Sequence, residues 1–280
     1  MIPTIIPDNA IGGIADAIIN WLLINAGGFF DAISYAAGVA VFSVKDFWLI
    51  IPPIVVILIT AAIGWYRTKK ISVALFAMVG LYIVYNMGLW EPLMETVTLI
   101  TLSVTISVAI GVPVGIIASR SNLAWNIIKP ILDLMQTMHP FVYLIPVVFL
   151  FGLGMVPGLL TTIVFATPPS IRLTNLGIRQ VEDQYVEAGE AFGSTTMQLL
   201  RRVEIPLAMP SILQGINQSI MLSLSMVIIA SMIAAGGLGD EIMIAIQRLN
   251  IGRGIEAGLA VVVLAIVLDR ISTAGQSNIT

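Results

Sequence analysis

The sequence predicts an all-α integral membrane protein, a polytopic bundle of about seven transmembrane helices preceded by an amphipathic interfacial helix. Its residues are 58% hydrophobic and only 10% charged, with a mean hydropathy of +1.00. That leaves too little polar surface to cover a water-soluble protein of 280 residues. Several apolar segments also reach the length of about 20 residues that a helix needs to cross a hydrocarbon core of about 30 Å. Finally, the basic residues alternate between loops in the pattern that orients membrane proteins.

The amino-terminal segment, residues 1–46, predicts an interfacial amphipathic helix or a pair of helices. Its apolar residues recur at helical spacing between polar ones, and Gly27 and Gly28 would permit a bend. An eighth, tilted membrane segment is the alternative. Residues 1–8 lack the basic and apolar regions of a cleavable signal peptide, so we expect insertion to depend on internal segments. The periodic apolar positions are Ile11, Ile14, Ile18 and Leu22.

Seven further segments have the length and composition of membrane spans. We divide them into two accessory helices, residues 47–90, and a core, residues 91–280. Glycine and proline at 111, 113, 140 and 146 interrupt the third and fourth segments. The predicted spans are residues 47–66, 71–90, 93–118, 130–152, 156–176, 211–235 and 255–272.

Lysine and arginine set the predicted orientation, because they are retained on the cytoplasmic side of short loops. Placing Arg67, Lys69 and Lys70 inside places ten of the thirteen basic residues inside. The amino terminus is then outside, the carboxyl terminus is cytoplasmic, and residues 177–206 form a cytoplasmic loop. With a net charge of −3 the chain has no basic patch for nucleic acid, and without cysteine it has no thiolate metal site. We therefore expect no nucleic-acid partner and no metal.

The cytoplasmic loop, residues 177–206, is dense in charge and predicts a helical hairpin that projects from the membrane. Residues 187–193 read E-A-G-E-A-F-G, and Glu and Ala favour helix. Gly193 can supply a left-handed turn, while Ser194 and Thr195 can cap the next helix. Pro206 is expected to end that helix, because proline lacks a backbone donor.

This hairpin resembles the EAA loop of ABC importer permeases, whose pattern is E-A-A, three residues, G, nine residues, I-x-L-P. Glu187, Ala188, Gly193 and Pro206 match it, and the mild departures are Gly189, Val203 and Ile205. In that family the short helix after the glycine docks on the ATPase subunit. The resemblance therefore implies a coupling helix at residues 193–200, and an ordinary cytoplasmic loop is the alternative. The implied coupling residues are Glu187, Ala188, Gly193, Ser194, Thr195 and Pro206.

A closer resemblance is to the glycine betaine/proline betaine permease family. It is carried by residues 130–138 (PILDLMQTM), 187–196, 215–221 (GINQSIM), 235–239 (AGGLG) and 268–271 (LDRI), from about Trp90 onward. It implies a permease of the prokaryotic cell membrane, acting with a second permease copy, a cytoplasmic ATPase and an extracytoplasmic binding protein. A homodimer is the economical form, and a second, different permease remains open. Another small solute, such as an amino acid or choline, is the alternative cargo.

ATP is expected to bind to the partner subunit. A phosphate-binding loop has the form G-x-x-x-x-G-K-[ST], and none of the four lysines follows a glycine. We therefore expect a transport subunit with no ATPase site and no cofactor of its own.

Three residues near a proline-interrupted segment are candidates for the substrate pathway, namely His139, Phe141 and Tyr143. Aromatic faces attract quaternary ammonium groups by about 0.5 to 2 kcal/mol, although aromatic residues in a buried helix more often serve packing. His139 departs from the small or apolar residue that the resemblance to the glycine betaine/proline betaine permease family leads us to expect at this position. Asp133 lies one helical turn after Lys129, which favours an ion pair between them over a transport role.

Two other functional classes are less consistent with the sequence. Residues 237–240 read G-L-G-D, a string found in intramembrane aspartyl proteases, but the second Tyr-Asp dipeptide of those enzymes is absent. The glycines are better explained as residues that end a span and turn the chain. An ion-coupled secondary transporter would carry acidic pairs at mid-span and no ATPase-docking loop.

Overall fold

The computed structural model describes residues 10–274, and every regular element in that range is helical. The predicted all-α class is therefore confirmed for the described residues. Expectations for residues 1–9 and 275–280, including the start of the interfacial segment and the end of the core, lie outside them. The helices are α1 (Ala10–Ile50), α2 (Pro53–Thr68), α3 (Ile71–Asn86), α4 (Trp90–Arg120), α5 (Asn122–Thr137), α6 (Pro140–Phe151), α7 (Met155–Arg179), α8 (Asp183–Ala191), α9 (Thr196–Leu199), α10 (Ile205–Ala230), α11 (Leu238–Gln247) and α12 (Ile251–Thr273).

Length and composition alone do not confirm the predicted number of membrane spans. Within residues 10–274, four helical stretches are long and apolar enough to cross a membrane, or five if α5 and α6 count as one bent span. Helices α2 and α3 are apolar, but each has 16 residues and is only about 24 Å long. The predicted count of seven is therefore not confirmed. The four stretches are Gly12–Ile50, Trp90–Arg120, Thr196–Ile233 and Ile251–Thr273.

Helix α1 is continuous for 41 residues and passes through Gly27 and Gly28 without a break. It ends at Ile50 because two prolines follow, and a proline at 53 is tolerated only as the first residue of the next helix. The predicted span 47–66 is thus divided between α1 and α2. Along its second half, α1 contacts helix ends: Phe30 packs on Phe151 of α6, and a Cβ on Gly38 would lie 3.7 Å from Val156 of α7.

The start of α4 is joined to α1 and to the turn before α11 by the carboxylate of Glu95. One Glu95 oxygen accepts from Lys45 Nζ at 2.5 Å, and the other accepts from the Gly237 backbone N–H at 2.8 Å. Gly236 and Gly237 both have a φ of +83°, which only glycine adopts readily. The G-L-G-D string therefore turns the chain and begins α11, as the non-protease interpretation expects.

The centre of the bundle is the packing of α4 and α10 on the two sides of α7. A Cβ on Gly111 or Gly115 of α4 would lie 2.6 Å from the Cβ atoms of Ser170 and Thr174 of α7, respectively. This G-x-x-x-G spacing lets two membrane helices approach closely. On the other side, Ser219 of α10 contacts the Ser170 hydroxyl at 2.8 Å and donates to the Ala166 carbonyl at 2.7 Å.

Helix α7 has 25 residues but falls outside the candidate spans because its many polar residues lower its hydropathy, although its bounds are close to those of the predicted span 156–176. Its threonine and serine side chains are buried in the protein and not exposed to lipid. Hydroxyl groups in membrane helices bond to backbone carbonyls of their own or neighbouring helices, so they are tolerated there. Helix α7 is the buried centre of the bundle.

The predicted span 130–152 is broken into α5 and α6, whose axes differ by 98°. We call residues 138–139, where the two helices meet, the elbow. His139 has an extended backbone because a proline follows it, and its Nδ1 accepts from the Phe141 N–H at 3.4 Å. The Tyr143 hydroxyl donates to the Met135 carbonyl across the elbow. The proline interruption is therefore a sharp bend, not a mild kink within one span.

Candidate functional site

The loop between α7 and α10 folds into a helical hairpin, as predicted. We call residues 183–204 the hairpin: it contains α8, α9 and a π-helical turn, Leu200–Glu204. Gly193 has a φ of +77° and turns the chain between α8 and α9, donating to the Glu190 carbonyl at 2.8 Å. The Ser194 N–H donates to the Gly189 carbonyl at 3.1 Å. The left-handed turn expected at Gly193 is therefore confirmed.

Helix α9 begins with a reciprocal cap made by Thr195 and Gln198. The Thr195 hydroxyl accepts from the Gln198 N–H at 3.4 Å, and the Gln198 side chain accepts from the Thr195 N–H at 2.8 Å. This capping box satisfies two backbone donors that a helix start otherwise leaves unpaired. Of the two predicted capping residues, Thr195 is the cap and Ser194 precedes it.

The departure from the EAA pattern at Gly189 has a packing explanation. A Cβ at this position would lie 2.5 Å from Cδ1 of Leu199, which is buried against α8. Glycine therefore lets Leu199 close the hairpin. No local sequence signal connects these positions, because the contact depends on the turn at Gly193.

Pro206 does not end a helix, so this part of the prediction is wrong. Helical structure continues from Thr196 to Ile233, and Pro206 lies in the first turn of α10. The π-helical turn just before it changes the local hydrogen bonds, with the Ile205 N–H donating to the Leu200 carbonyl. A wider π turn relieves the clash that a proline ring makes with the preceding turn and tolerates its missing donor. The hairpin is thereby joined to α10 without a break.

A second connection joins the hairpin to the end of α4. Glu204 lies in the π turn with only 7% of its side chain exposed, and its carboxylate pairs with Arg120 at 2.5 Å. Nearby, Arg179 at the end of α7 donates to Asn122 and to the Ala118 carbonyl, at 2.8 and 2.9 Å. These contacts were not predicted from the sequence, since Arg120 and Glu204 are 84 residues apart. The Arg120–Glu204 pair fixes the base of the hairpin to α4, and the Arg179 contacts hold the end of α7 beside it.

Arg120→Gln is expected to destabilise the folded protein by about 3 kcal/mol, because it leaves the buried Glu204 carboxylate without its partner. The double variant Arg120→Gln with Glu204→Gln removes the buried charge and should recover most of that loss. Thermal unfolding of the two variants in detergent measures both effects. Equal losses in the single and the double variant would contradict this role for the pair.

The outer face of the hairpin combines charged and apolar groups. Glu187 and Ala188 are exposed on α8, and no residue of α8 is buried. Phe192 at the tip is 91% exposed, and Met197 on α9 is 61% exposed. Exposed apolar side chains among charged ones are typical of a protein-binding surface. Phe192 was not among the residues predicted from the sequence, although an aromatic residue in a charged loop is a usable signal.

Two of the three pathway candidates, His139 and Phe141, contact each other at the elbow, whereas Tyr143 faces α7. His139 stacks on Phe141 with ring centroids 5.1 Å apart, and Tyr143 packs edge-on against Phe165 of α7 at 6.2 Å. Tyr143 is buried and hydrogen-bonded, whereas Phe141 is 41% exposed. His139 and Tyr143 thus have contacts that shape the elbow. Phe141 is the candidate with a free aromatic surface.

Asp133 forms its ion pair with Arg172 of α7 and not with Lys129, so the predicted pair within α5 is wrong. Arg172 is half-buried on α7 across the helix contact, whereas Lys129 is exposed on α5, and a planar guanidinium suits a carboxylate better than an ammonium group does. The pair joins α5 to α7, and the Tyr143–Phe165 contact joins α6 to the same helix.

Comparisons with known proteins agree with this architecture. Residues 111–278 match the family described as the binding-protein-dependent transport system inner membrane component. The chain is 46% identical to the glycine betaine transport system permease protein OpuAB of Bacillus subtilis, over 95% of this chain and 94% of that protein. It is 44% identical to the glycine betaine/carnitine transport permease protein GbuB of Listeria monocytogenes, over 88% and 89% of the two chains.

The fold is similar to that of a solved structure of the MetNI methionine ABC transporter in inward-facing conformations. The TM-score is 0.61 at 18% identity, covering 66% of this chain and 93% of the other. The matched family region includes part of α4 and all of the elbow, α7, the hairpin, α10 and α12. The chain belongs to the binding-protein-dependent transport system inner membrane component family and is a multi-pass membrane permease.

Proposed function

We propose that this protein is the membrane-spanning subunit of an ATP-driven importer for glycine betaine, proline betaine or a related small solute. The hairpin carries the proposal: it projects from the bundle with Glu187, Ala188, Gly193 and Pro206 at the spacing of an ATPase-docking loop. The names of the two permease relatives support glycine betaine as the solute. Choline or an amino acid is the alternative cargo.

In this proposal, the partner ATPase binds the hairpin and moves it when ATP is bound and hydrolysed. Two features favour transmission of that movement into the membrane. Residues Thr196–Ile233 are one continuous helical stretch, so a displacement of α9 shifts α10. The Arg120–Glu204 pair connects the same segment to α4. The ATPase supplies the chemistry, and this chain supplies the pathway.

The solute pathway is proposed to form between two copies of the chain. The elbow of each copy would face that pathway. Irregular backbone at membrane depth is tolerated only where protein or a water-filled cavity covers it. His139 and Phe141 at the elbow are exposed in the single chain, which fits a surface completed by a second copy. Phe141 is the residue proposed to contact a quaternary ammonium group.

The proposed orientation places the hairpin in the cytoplasm and the amino terminus outside. Four arginines at the hairpin end of the bundle support this orientation, because basic residues are retained on the cytoplasmic side. They are Arg120, Arg179, Arg201 and Arg202. Helix α1 then crosses the outer ends of α6 and α7, which favours the interfacial segment over an eighth span. The proposed division is residues 1–46 for that segment, 47–90 for the accessory helices and 91–280 for the core.

Phe192→Ala is expected to weaken binding of the partner ATPase at least tenfold, because it removes the most exposed apolar side chain of the hairpin. Leu249→Ala is the matched control: Leu249 is 86% exposed in the turn between α11 and α12. The fraction of ATPase that co-purifies with each variant measures the effect. If the two variants retained the same fraction of ATPase, Phe192 would not be part of the docking surface.

Purification from mild detergent tests the class of the protein. We expect a P-loop ATPase to co-purify, and we expect its ATP hydrolysis to rise when glycine betaine and the binding protein are added. A stable complex that glycine betaine does not stimulate would retain the class and exclude this solute. A chain that transports alone, driven by an ion gradient, would make it a secondary transporter.

A further inference from the structure

A long groove runs along the accessory helix α2 and the core helices α4, α10 and α12, beside the contact between α2 and α12. It consists of two adjoining cavities of about 220 and 300 Å³, which share the side chains of Ile63, Leu268 and Ile271. Apolar residues of α4 and α12 line most of the first cavity, and residues of α10 line the second. Because α4, α10 and α12 are candidate spans, this groove lies at membrane depth.

The groove becomes polar and basic at the end where α2 and α12 terminate. Arg67 lies in the last turn of α2 and lines the second cavity beside Asn217 and Ser272. Next to it, Lys70 and Arg270 line a third cavity of about 200 Å³. The side of the bundle that carries the α2–α3 turn therefore has three basic side chains at the mouth of an apolar groove.

These three basic residues have no acidic partner in the part of the chain that the structure describes. The ion pairs within 4 Å there involve Lys45, Arg120, Arg172 and Arg253. Asp269 precedes Arg270 in sequence and joins none of these pairs. By contrast, Lys69 lies over the Tyr66 ring at 4.5 Å, so it is already engaged. Arg67, Lys70 and Arg270 are exposed cations that remain available to an external anion.

We propose that this groove binds one anionic phospholipid. Its acyl chains would lie in the two cavities along α2 and α12, and its phosphate would lie among Arg67, Lys70 and Arg270. An unfilled apolar groove forfeits van der Waals contacts along its walls, and hydrocarbon chains are the material that surrounds a membrane bundle. Basic side chains close to the bilayer surface attract anionic headgroups. A soluble anion would match the basic mouth but leave the apolar groove unfilled.

The position of the groove suggests what the lipid does. Helix α3 contacts α12 closely, since a Cβ on Gly80 would lie 2.7 Å from Val263, whereas α2 touches α12 but leaves the two cavities open beside that contact. A lipid in the groove therefore completes the packing of the accessory helices on the core. This inference requires only that the chain is in a bilayer, and it does not depend on the solute that is carried.

Native mass spectrometry of the purified full-length chain tests the proposal. The protein is exchanged into micelles that contain equal amounts of phosphatidylglycerol and phosphatidylcholine, and the lipids retained per chain are counted. We expect retention of phosphatidylglycerol to exceed that of phosphatidylcholine by at least tenfold. The preference should fall about fivefold for each of Arg67 and Arg270 that is changed to Gln, since each contributes one surface charge.

Two further variants separate this site from general charge or misfolding. Lys129→Gln with Arg248→Gln removes the same charge from exposed positions outside the groove and should retain the preference. Ile63→Trp fills the junction of the cavities without changing charge and should reduce bound lipid of both kinds. The proposal is overturned if the unmodified protein retains both lipids equally, or if the Arg67 and Arg270 variants behave like the control.

Discussion

Gly193→Pro is expected to reduce ATP-driven solute uptake at least tenfold while the chain still inserts into the membrane. Proline is fixed near a φ of about −65°, whereas Gly193 has a φ of +77°. The change also removes the N–H that donates to the Glu190 carbonyl. The turn between α8 and α9 cannot form, so the surface proposed to bind the ATPase is lost. Uptake by proteoliposomes and retention of the ATPase on purification measure the effect.

Gly88→Pro is a closely matched control for this variant. Gly88 has a φ of +68°, donates to the Tyr85 carbonyl at 3.1 Å, and has open space where a Cβ would lie, as Gly193 does. It lies in the turn between α3 and α4, away from the hairpin. The two variants should lose similar stability, of about 1 to 3 kcal/mol, but only Gly193→Pro should release the ATPase. Release from both variants would show that the effect is general strain.

Gly115→Leu is expected to prevent correct packing of the membrane core. A Cβ at this position would lie 2.6 Å from Thr174 Cβ and 2.8 Å from the Ile171 carbonyl oxygen. The second of these atoms is backbone, so α4 and α7 must separate as whole helices. The loss of stability should be about 3 kcal/mol or more, since overpacking is compounded by lost contacts along the G-x-x-x-G seam.

Gly258→Leu serves as the comparison for Gly115→Leu. Gly258 is also inside a membrane helix, α12, but no neighbouring group lies within 4 Å of the point that a Cβ would occupy there. This variant should fold and transport nearly as well as the unmodified protein. Fluorescence-detected size-exclusion profiles and thermal unfolding in detergent distinguish the two. A Gly115→Leu protein as stable as Gly258→Leu would disprove the close α4–α7 contact.

The sequence predicted the features that depend on local chemistry. The turn at Gly193 requires positive φ, and the Thr195 cap requires a hydroxyl three residues before Gln198, so both are visible in the sequence. The motif that carries the family resemblance is local for the same reason. The apolar helices of the bundle are also predictable, because hydropathy needs no partner to be recognised.

The errors arose where a distant contact or a neighbouring turn decides the outcome. Asp133 pairs with Arg172 because α7 packs on α5, a fact that spacing within α5 cannot reveal. Pro206 continues a helix because the π turn before it accommodates the ring. The elbow divides the predicted span 130–152 because Tyr143 and the His139 cap stabilise a bend that the prolines only permit.

The coupling claim depends on residues that sequence reasoning found and on others that it missed. Gly193 and Thr195 shape the tip of the hairpin, and both were expected. The base depends on Arg120 and Glu204, and the exposed apolar group at the tip is Phe192. Together these residues describe a hairpin with an exposed tip and a base that continues into α10.

Uptake of labelled glycine betaine into proteoliposomes tests the central claim most directly. The vesicles contain this chain and its co-purifying ATPase, with ATP inside and the binding protein outside. Accumulation is expected only when ATP, the ATPase and the binding protein are all present, and it should be lost in Gly193→Pro. Accumulation by this chain alone, driven by an imposed ion gradient, would contradict the account.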